Sequence, residues 1–499
     1  MLKHRRFGLI CALLSSAIFF LAAAKVKGQT GPASSIRLEP CEVAGTSPNA
    51  KDKALCATHP VFEDRLAGSG RKINLKIVVY PALEANKSPD PFLYIPGGPG
   101  AAATQDAPYI VQANPQIRRT RDMVFVDQRG TGGSHHLDCV FYDPADLQSY
   151  LYYYFPLDEV KKCREELEKI ADLKLYTTEH AVADLDEVRQ GLGYAKINLL
   201  GGSYGTRAVL AYLKRFGQNV RSAVLHGVSP TTHFMPGPYP QDTQRALNGI
   251  IDECLADERC RTAFPNLRAE VKTVLEQLLQ SPAEAEVRNR QTGQKVKVKL
   301  SRDLVGEAVR YMLYQPSAAL RVPLFIHLAA AGNYNSLAEA AVFYRHNIVR
   351  TGGNGMYLTI TCAEDLPWID VDESRRNGTD TFLGNYRLEQ QLEACALWVR
   401  AEIPKDYAEP TRAEVPVLIL TGQWDPVTPP AHGEMAAKYL PNSLHLVIPQ
   451  GGHGWNGMEG IDCLQKITAD FYQRGTTAGL DTACVKNMRR KDFLLELPK

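Results

Sequence analysis

A serine flanked by glycines is the first feature of this sequence that points to chemistry. Ser203 is the centre of Gly201–Gly205, which has the pattern G-x-S-x-G. An apolar run at 197–200 predicts a strand before it, and the pattern of 204–216 predicts a helix after it. Glycines in such a sharp turn avoid side-chain clashes, and the turn lifts the hydroxyl clear of the sheet. We predict that Ser203 is a nucleophile; the alternative is a glycine turn that only packs a helix on a strand.

A serine hydroxyl is a poor nucleophile unless a base takes its proton, and His453 is the histidine best placed to do so. On a strand–turn–helix motif of this kind, the order along the chain is nucleophile, acid, histidine. His453 lies in the glycine-rich loop 451–454, directly after the predicted strand 444–448. Loops at the carboxyl ends of parallel strands are where such sheets build their sites. His445 lies within that strand and is predicted to be structural.

The acid that orients the histidine should follow the preceding strand, and Asp425 does so. It lies in the turn 421–426, after the apolar run 415–420. In this role Asp425 accepts the imidazole N–H and steadies the imidazolium that forms. An aspartate beside a proline is also a common turn former, so a structural role is the alternative.

The oxyanion of an acyl-transfer reaction needs two N–H donors. We predict that the first is the backbone amide of Tyr204, directly after the nucleophile. The second should come from the turn 97–100, where Gly98 is preferred and Gly97 is the second choice. Pro99 has no N–H and is excluded. The alternative is a glycine turn without a catalytic role.

A second polar turn, 127–134, follows another short apolar run, 123–126. Its charged residues Asp127 and Arg129 resemble catalytic groups in type. Because the turn lies at a strand end next to the predicted oxyanion turn, we predict that both side chains are structural and brace that loop.

The elements that must position these residues alternate between strand and helix. Short runs rich in branched residues and ended by glycine turns predict buried parallel strands, and a helix is predicted from Thr178 to Gly191 with Thr178 as its cap. The fold class is therefore α/β, with a mostly parallel, doubly wound sheet. From about Pro230 helical periodicity dominates, except for a hairpin-like stretch near 285–300. The predicted division is a signal peptide at 1–28, a sheet domain at 29–229 and 405–499, and an inserted, mainly helical cap at 230–404.

Several motifs together resemble the prolyl iminopeptidase and tripeptidyl aminopeptidase group of α/β-hydrolases. The resemblance covers nearly all of the chain after residue 40. Its motifs are the turns at 97–100 and 127–134, the G-x-S-x-G at 201–205, the segments 422–426 and 452–454, and two cap segments, 254–265 and 361–365. The resemblance implies the α/β-hydrolase fold and a serine exopeptidase that frees short N-terminal peptides or single residues.

An exopeptidase of that kind must hold a substrate ammonium group, which a carboxylate in a partly closed cavity can do. Glu364 and Asp365 are the candidates, because the resemblance places them in the cap and Cys362 is positioned to pin their loop. The alternative is that they are surface charges. Two other functions stay open: an esterase or amidase acting on small acyl substrates with the same triad, and a non-catalytic binding protein on a hydrolase fold.

The amino terminus and the cysteines predict export. A basic start at residues 3–6 precedes an apolar run, 7–24, that ends in small residues, which is typical of a cleaved signal peptide. An uncleaved membrane anchor is the alternative. Without Cys11 the remaining cysteines are even in number, as expected for disulfides in an exported chain. The simplest pairing is sequential: 41–56, 139–163, 254–260, 362–395 and 463–484. The protein is expected to be secreted or periplasmic.

Charge and composition restrict the partners. The formal net charge is +2, and removal of residues 1–24 takes away three basic side chains, which leaves −1. That balance gives no electrostatic basis for binding nucleic acid or an anionic membrane. No cysteine pair has the spacing and histidine partners of a zinc site. We therefore expect a peptide or small acyl substrate, and the predicted acyl transfer needs neither a metal nor an organic cofactor.

Overall fold

The computed structural model describes residues 35–47, 49–351 and 353–497. The predicted signal peptide, 1–28, lies outside these residues. The strands are β1 Glu39–Ala44, β2 Lys51–Phe62, β3 Lys72–Tyr80, β4 Phe92–Ile95, β5 Met123–Val126, β6 Ile197–Gly202, β7 Val220–His226, β8 Ala283–Arg288, β9 Lys295–Leu300, β10 Val417–Gly422, β11 Ser443–Ile448, β12 Met458–Glu459 and β13 Arg489–Arg490.

The helices separate most of these strands. They are α1 Ala103–Ala113, α2 Pro115–Thr120, α3 Leu157–Leu167, α4 Thr178–Gly191, α5 Tyr204–Phe216, α6 Tyr239–Ala256, α7 Glu258–Ala263, α8 Leu267–Gln280, α9 Arg302–Met312, α10 Pro316–Ala319, α11 Val322–Ala330, α12 Asn335–Thr351, α13 Asn354–Glu364, α14 Val371–Gly378, α15 Tyr386–Leu397, α16 Pro430–Ala437 and α17 Asp462–Arg474. Among the described residues, none of the helices combines the length and the apolar character needed to cross a bilayer.

One sheet of nine strands organises the molecule, in the order β1-β2-β3-β5-β4-β6-β7-β10-β11. The six strands from β5 to β11 in this order are parallel to their neighbours, and β1, β2 and β3 add an antiparallel edge. The fold is thus an α/β-hydrolase sheet, as the sequence predicts. Parallel pairing brings the carboxyl ends of β6, β10 and β11 to one edge of the sheet.

The central strands are buried on both faces because their side chains alternate between two apolar layers. In β4, Leu93 and Ile95 belong to one buried cluster, and Phe92 and Tyr94 to the cluster on the opposite face. This explains why the strand is a continuous apolar run rather than an alternating one. A third cluster packs α6, α8, α9 and α11 with the β8–β9 hairpin.

Between β7 and β10 the chain is mostly helical, running from α6 to α15 with only the β8–β9 hairpin as strand structure among the described residues. This segment includes the hairpin predicted near 285–300. The boundaries 230 and 404 of an inserted cap stay a prediction. Helix α4 begins and ends at the predicted residues, but its cap is Thr177 rather than Thr178, because the Thr177 side chain accepts from the amide of His180.

Five disulfides join the cysteines in sequential pairs, as predicted: 41–56, 139–163, 254–260, 362–395 and 463–484. The pair Cys41–Cys56 links β1 to β2 at the sheet edge. The pair Cys362–Cys395 links α13 to α15, and so fixes the helix that ends at Glu364. Cross-links of this kind are typical of exported proteins.

Candidate active site

Ser203 lies in the sharp turn between β6 and α5, with a left-handed φ of 54° and a ψ of −124°. A non-glycine residue rarely adopts this conformation, and it is stabilised here by the surrounding backbone. The Ser203 amide donates to the carbonyl of His226 at 2.9 Å. A Cβ built on Gly201 would lie 2.6 Å from the carbonyl oxygen of Gly205, so the turn closes only with glycine at that position.

His453 and Asp425 lie at the ends of neighbouring strands and contact each other directly. The loop after β11 carries His453, the turn after β10 carries Asp425, and Nδ1 of the imidazole is 2.8 Å from Oδ2 of the carboxylate. The other carboxylate oxygen, Oδ1, accepts from the amides of Val427 and Thr428, each at 2.8 Å. The Thr428 hydroxyl also donates to Oδ2 at 2.7 Å. The carboxylate is therefore fixed in position before substrate binds.

The surroundings of Asp425 keep it ionised. Burial raises the pKa of this carboxyl, since it is fully buried, but the nearby His453 and the hydrogen bonds from His453 and Thr428 outweigh burial. The result is a pKa well below the ordinary value for aspartate. A buried, ionised carboxylate beside an imidazole stabilises the imidazolium form during proton transfer.

His453 and Ser203 both lie against the end of β7. The carbonyl of His226 binds the Ser203 amide, and a Cβ built on the next residue, Gly227, would lie 3.1 Å from Cε1 of His453. The ring of Tyr314 packs edge-on against His453, with centroids 4.9 Å apart. The structure thus brings both residues to the same corner of the sheet.

The glycine turn after β4 lies directly against the nucleophile. A Cβ built on Gly97 would be 3.0 Å from Cβ and 3.6 Å from Oγ of Ser203. Gly98 has a φ of +112°, where a Cβ would lie 2.8 Å from the Gly100 amide nitrogen, so the turn requires glycine there. Gly98, Ser203 and Tyr204 line one narrow cavity of about 30 Å³. Tyr204 begins α5, so its amide is at the positive end of that helix.

The side chains of Asp127 and Arg129 brace this loop, as predicted. The Asp127 carboxylate accepts from the amide of Thr104 at 2.8 Å and from that of Gly133 at 2.9 Å, which ties the start of α1 to the 127–134 turn. Arg129 is fully buried and forms a two-pronged ion pair with Asp184, at 2.7 and 2.8 Å. Neither side chain is among those that line the cavity.

Glu364 is buried away from the cavity, with its oxygens already engaged. It accepts from the amide and hydroxyl of Thr178, both at 2.6 Å, and from the Tyr407 hydroxyl at 2.5 Å. Burial raises its pKa to about 7, against the opposing effect of these hydrogen bonds. The Thr178 hydroxyl that the sequence assigns to capping α4 is used here instead, and it also accepts from the Tyr204 hydroxyl at 2.7 Å.

Asp365, in contrast, lines the cavity together with Ser203. Its Oδ1 accepts from the Arg207 guanidinium at 2.6 Å and from the Met235 amide at 3.0 Å. Burial raises the pKa of this carboxyl, and the Arg207 charge opposes that rise. Among the contacts of the described residues, both hydrogen bonds end on Oδ1, so Oδ2 is the oxygen left for a ligand. The two adjacent carboxylates thus have different surroundings.

Sequence patterns did not identify three further residues of the site. Thr428 holds Asp425, Tyr314 packs on His453, and Arg207 fixes Asp365. For Thr428 a signal existed, because an aspartate in a turn commonly accepts from backbone amides just after it, and Thr428 follows Asp425 by three residues. Arg207 lies in α5 four residues after Ser203, but its pairing with the distant Asp365 is a tertiary contact that no local pattern encodes. Tyr314 also reaches the site only through tertiary packing.

Comparison with known proteins places this site in a family. Residues 90–267 match the family model of the alpha/beta hydrolase fold, and residues 380–484 match that of the TAP-like proteins. The chain is an α/β-hydrolase of the prolyl iminopeptidase and tripeptidyl aminopeptidase-like family. The first match includes the predicted nucleophile, Ser203. The second includes the predicted acid and histidine, Asp425 and His453.

Three relatives of this α/β-hydrolase have names that describe peptidases. Serine protease Hip1 of Mycobacterium tuberculosis is 24% identical over 484 residues, which cover 89% of this chain and 90% of the relative. Tripeptidyl aminopeptidase of Streptomyces lividans is 25% identical over 428 residues, covering 79% and 76%. Proline iminopeptidase of Neisseria gonorrhoeae is 29% identical over 147 residues, covering 29% and 35%. The chain is accordingly a serine hydrolase of the peptidase class.

Proposed function

We propose that this chain is an exported exopeptidase that releases short peptides or single residues from free N-termini. The observation that carries the proposal is the hydrogen bond between His453 and Asp425 at the same sheet corner as the strained turn of Ser203. The disulfides of the described chain are consistent with an extracellular or periplasmic location.

The reaction is acyl transfer through a covalent intermediate. Oγ of Ser203 attacks the scissile carbonyl while Nε2 of His453 takes the hydroxyl proton. The amides of Gly98 and Tyr204 hold the negative charge that develops on the carbonyl oxygen. The imidazolium then protonates the leaving amine, and a water molecule, deprotonated by the same imidazole, hydrolyses the acyl-enzyme. Asp425 stays ionised throughout and steadies the imidazolium.

Asp365 is the carboxylate that we assign to the substrate ammonium. It lies on the cavity wall with Ser203, whereas Glu364 is bonded to Thr178 and Tyr407 outside the lining. An ammonium bound to Oδ2 would place the substrate N-terminus within a few residues of the attacked carbonyl.

A peptide ladder with free and acetylated N-termini, read by mass spectrometry, tests this proposal. Wild-type enzyme should cleave the free peptides and leave the acetylated ones intact. Asp365→Asn should reduce the preference for free N-termini by about tenfold or more, because a charge-assisted hydrogen bond is replaced by a weaker one.

The matched control is Glu364→Gln. It removes the neighbouring carboxylate, which does not line the cavity, so the variant should keep the preference for free N-termini. Equal cleavage of free and acetylated peptides by the wild-type enzyme would contradict the ammonium site. Rapid turnover of short acyl esters with no cleavage of peptides would favour the esterase or amidase alternative.

A further inference from the structure

Two histidines and an aspartate form a half-buried to buried group behind the Asp425 turn. His233 lies in the loop after β7, Asp242 is in the first turn of α6, and His432 is in α16. Nε2 of His432 is 3.5 Å from Oδ2 of Asp242, and the two imidazole rings have centroids 4.1 Å apart. One donor atom from each residue lies within 4.8 Å of the other two.

Each of these side chains has a buried polar atom without a hydrogen-bond partner among the described residues. The atoms are Nε2 of His233, Oδ2 of Asp242 and Nδ1 of His432. Leaving such an atom unpaired in the interior costs on the order of 1–3 kcal/mol, so the unpaired atoms of His233 and Asp242 call for a partner. On His432 the nitrogen that faces Asp242 is Nε2, and its unpaired Nδ1 is the other ring nitrogen. The three residues come from three separate segments, and none takes part in the proposed acyl transfer.

We propose that His233, Asp242 and His432 form a binding site for one Zn²⁺ ion. Two imidazole nitrogens and a carboxylate oxygen are a donor set that zinc prefers, and a water molecule would complete four-coordination. Zinc–ligand bonds of about 2.0–2.1 Å place tetrahedral ligand atoms roughly 3.3 Å apart. Nε2 of His432 and Oδ2 of Asp242, 3.5 Å apart, already have nearly that spacing. His233 has to approach them by a small movement of its loop.

Charges of both signs act on this site. Arg245 acts on Asp242 and His432, and it donates to the carbonyls of Gln423 and Asp425, at 2.7 and 2.8 Å. Arg207 pairs with Asp365 and also donates to the His233 carbonyl at 2.7 Å. Asp425 adds a negative charge that acts on both Asp242 and His432. The carboxylates of Asp242 and Asp425 would therefore offset part of the charge of a divalent ion, with Arg245 opposing them.

A bound ion would join three segments that surround the proposed catalytic acid. Helix α6 contacts the Asp425 turn through the Thr243 hydroxyl, 3.3 Å from the Pro426 carbonyl, and helix α16 begins just after that turn. The loop with His233 continues to Met235, which lines the cavity. Zinc would thus stabilise the folded site rather than supply the nucleophile. This inference is independent of the substrate class.

Direct binding to the purified, metal-free protein tests the site. Titration calorimetry with ZnSO₄ should show one ion per chain, and Co²⁺ should give the visible absorption of a tetrahedral site. Zinc should also raise the melting temperature as its concentration increases, because it binds the native state. Asp242→Asn and His233→Gln should each weaken binding by about tenfold or more, as loss of even an outer-sphere partner has that effect.

The control variant is His327→Gln. His327 is 2.8 Å from the carboxylate of Glu270, but among the described residues no third possible metal ligand lies near this pair. It should bind zinc as the wild type does. The proposal is overturned if the wild-type protein takes up no zinc at one ion per chain. It is also overturned if the Asp242→Asn and His233→Gln variants bind as tightly as the wild type, since the ion would then lie elsewhere.

Discussion

Nδ1 of His453 lies 2.8 Å from Oδ2 of Asp425, and the Thr428 hydroxyl donates to the same carboxylate oxygen. Together with two backbone amides on Oδ1, these contacts fix both the position and the ionised state of the carboxylate. The imidazole is thereby held in the tautomer whose Nε2 is available to a nucleophile. The arrangement is useful to acyl transfer and has no comparable role in a passive binding protein.

Replacing Asp425 by asparagine should lower kcat by about 10⁴-fold while the fold is kept, because the amide favours the wrong imidazole tautomer. Steady-state kinetics on a cleaved peptide, with circular dichroism as a check on folding, measures this. Asp462→Asn, at the start of α17, is the matched control and should retain activity. If Asp425→Asn keeps activity within tenfold of wild type, the reaction does not depend on a catalytic triad.

Gly98→Ala should lower kcat by roughly 100- to 1,000-fold, the usual cost of losing one oxyanion donor. The added Cβ would lie 2.8 Å from the Gly100 amide nitrogen, which forces the turn to rearrange. Gly68→Ala is the control, since Gly68 also has a positive φ but a Cβ added there would meet no described atom within 4 Å. If both variants lose activity equally, the loss reflects backbone strain and not the oxyanion donor.

Unfolding free energy should fall as pH rises from about 4.5 to 7, because Glu364 binds its proton more tightly in the folded state. Burial raises its pKa from 4.5 to about 7, so the folded protein holds a proton that the unfolded chain releases in this range. The difference corresponds to about 3 kcal/mol at most. Glu364→Gln should flatten this decline in urea titrations at several pH values.

Glu284 is exposed, so Glu284→Gln serves as the control for the loss of one carboxylate. This variant should keep the wild-type pH dependence of the unfolding free energy. A decline in the Glu364→Gln variant equal to that of the wild-type protein would show that the buried carboxyl at 364 is ionised at all these pH values.

Removing the Cys362–Cys395 disulfide should destabilise the protein more than removing Cys254–Cys260. The first disulfide closes a loop with a sequence separation of 33, and the second closes a loop with a separation of 6. Loop-closure entropy predicts a difference of about 1.5 kcal/mol in unfolding free energy. Paired alanine variants compared by urea unfolding measure it. A larger loss from the short loop would mean that native-state packing around Cys254 dominates.

The residues of the proposed triad could be named from the sequence because the relevant signals are local. Each predicted triad residue follows a short apolar strand, and the glycine spacing around Ser203 requires a tight turn. The close approach of Gly201 to Gly205 shows the physical reason for that spacing. Sequential disulfide pairing was also predictable, since the paired cysteines lie near each other along the chain.

The two cap carboxylates were not distinguishable from sequence, because their surroundings come from distant residues. Glu364 and Asp365 are adjacent, yet Thr178 and Tyr407 bind the first and Arg207 binds the second. The same long-range contacts explain why Thr177, and not Thr178, caps α4. Strands β1 and β2 were not predicted either, since half-exposed edge strands rich in charged residues lack an apolar run.

Trapping the acyl-enzyme site with an organophosphonate tests the central claim most directly. The probe should add one equivalent to the wild-type protein, and peptide mapping should place the adduct on Ser203. Ser203→Ala should not react, while Ser229→Ala, which removes another serine that lines the same cavity, should react as the wild type does. An adduct on any other residue, or labelling that persists in Ser203→Ala, would contradict the proposed role of Ser203.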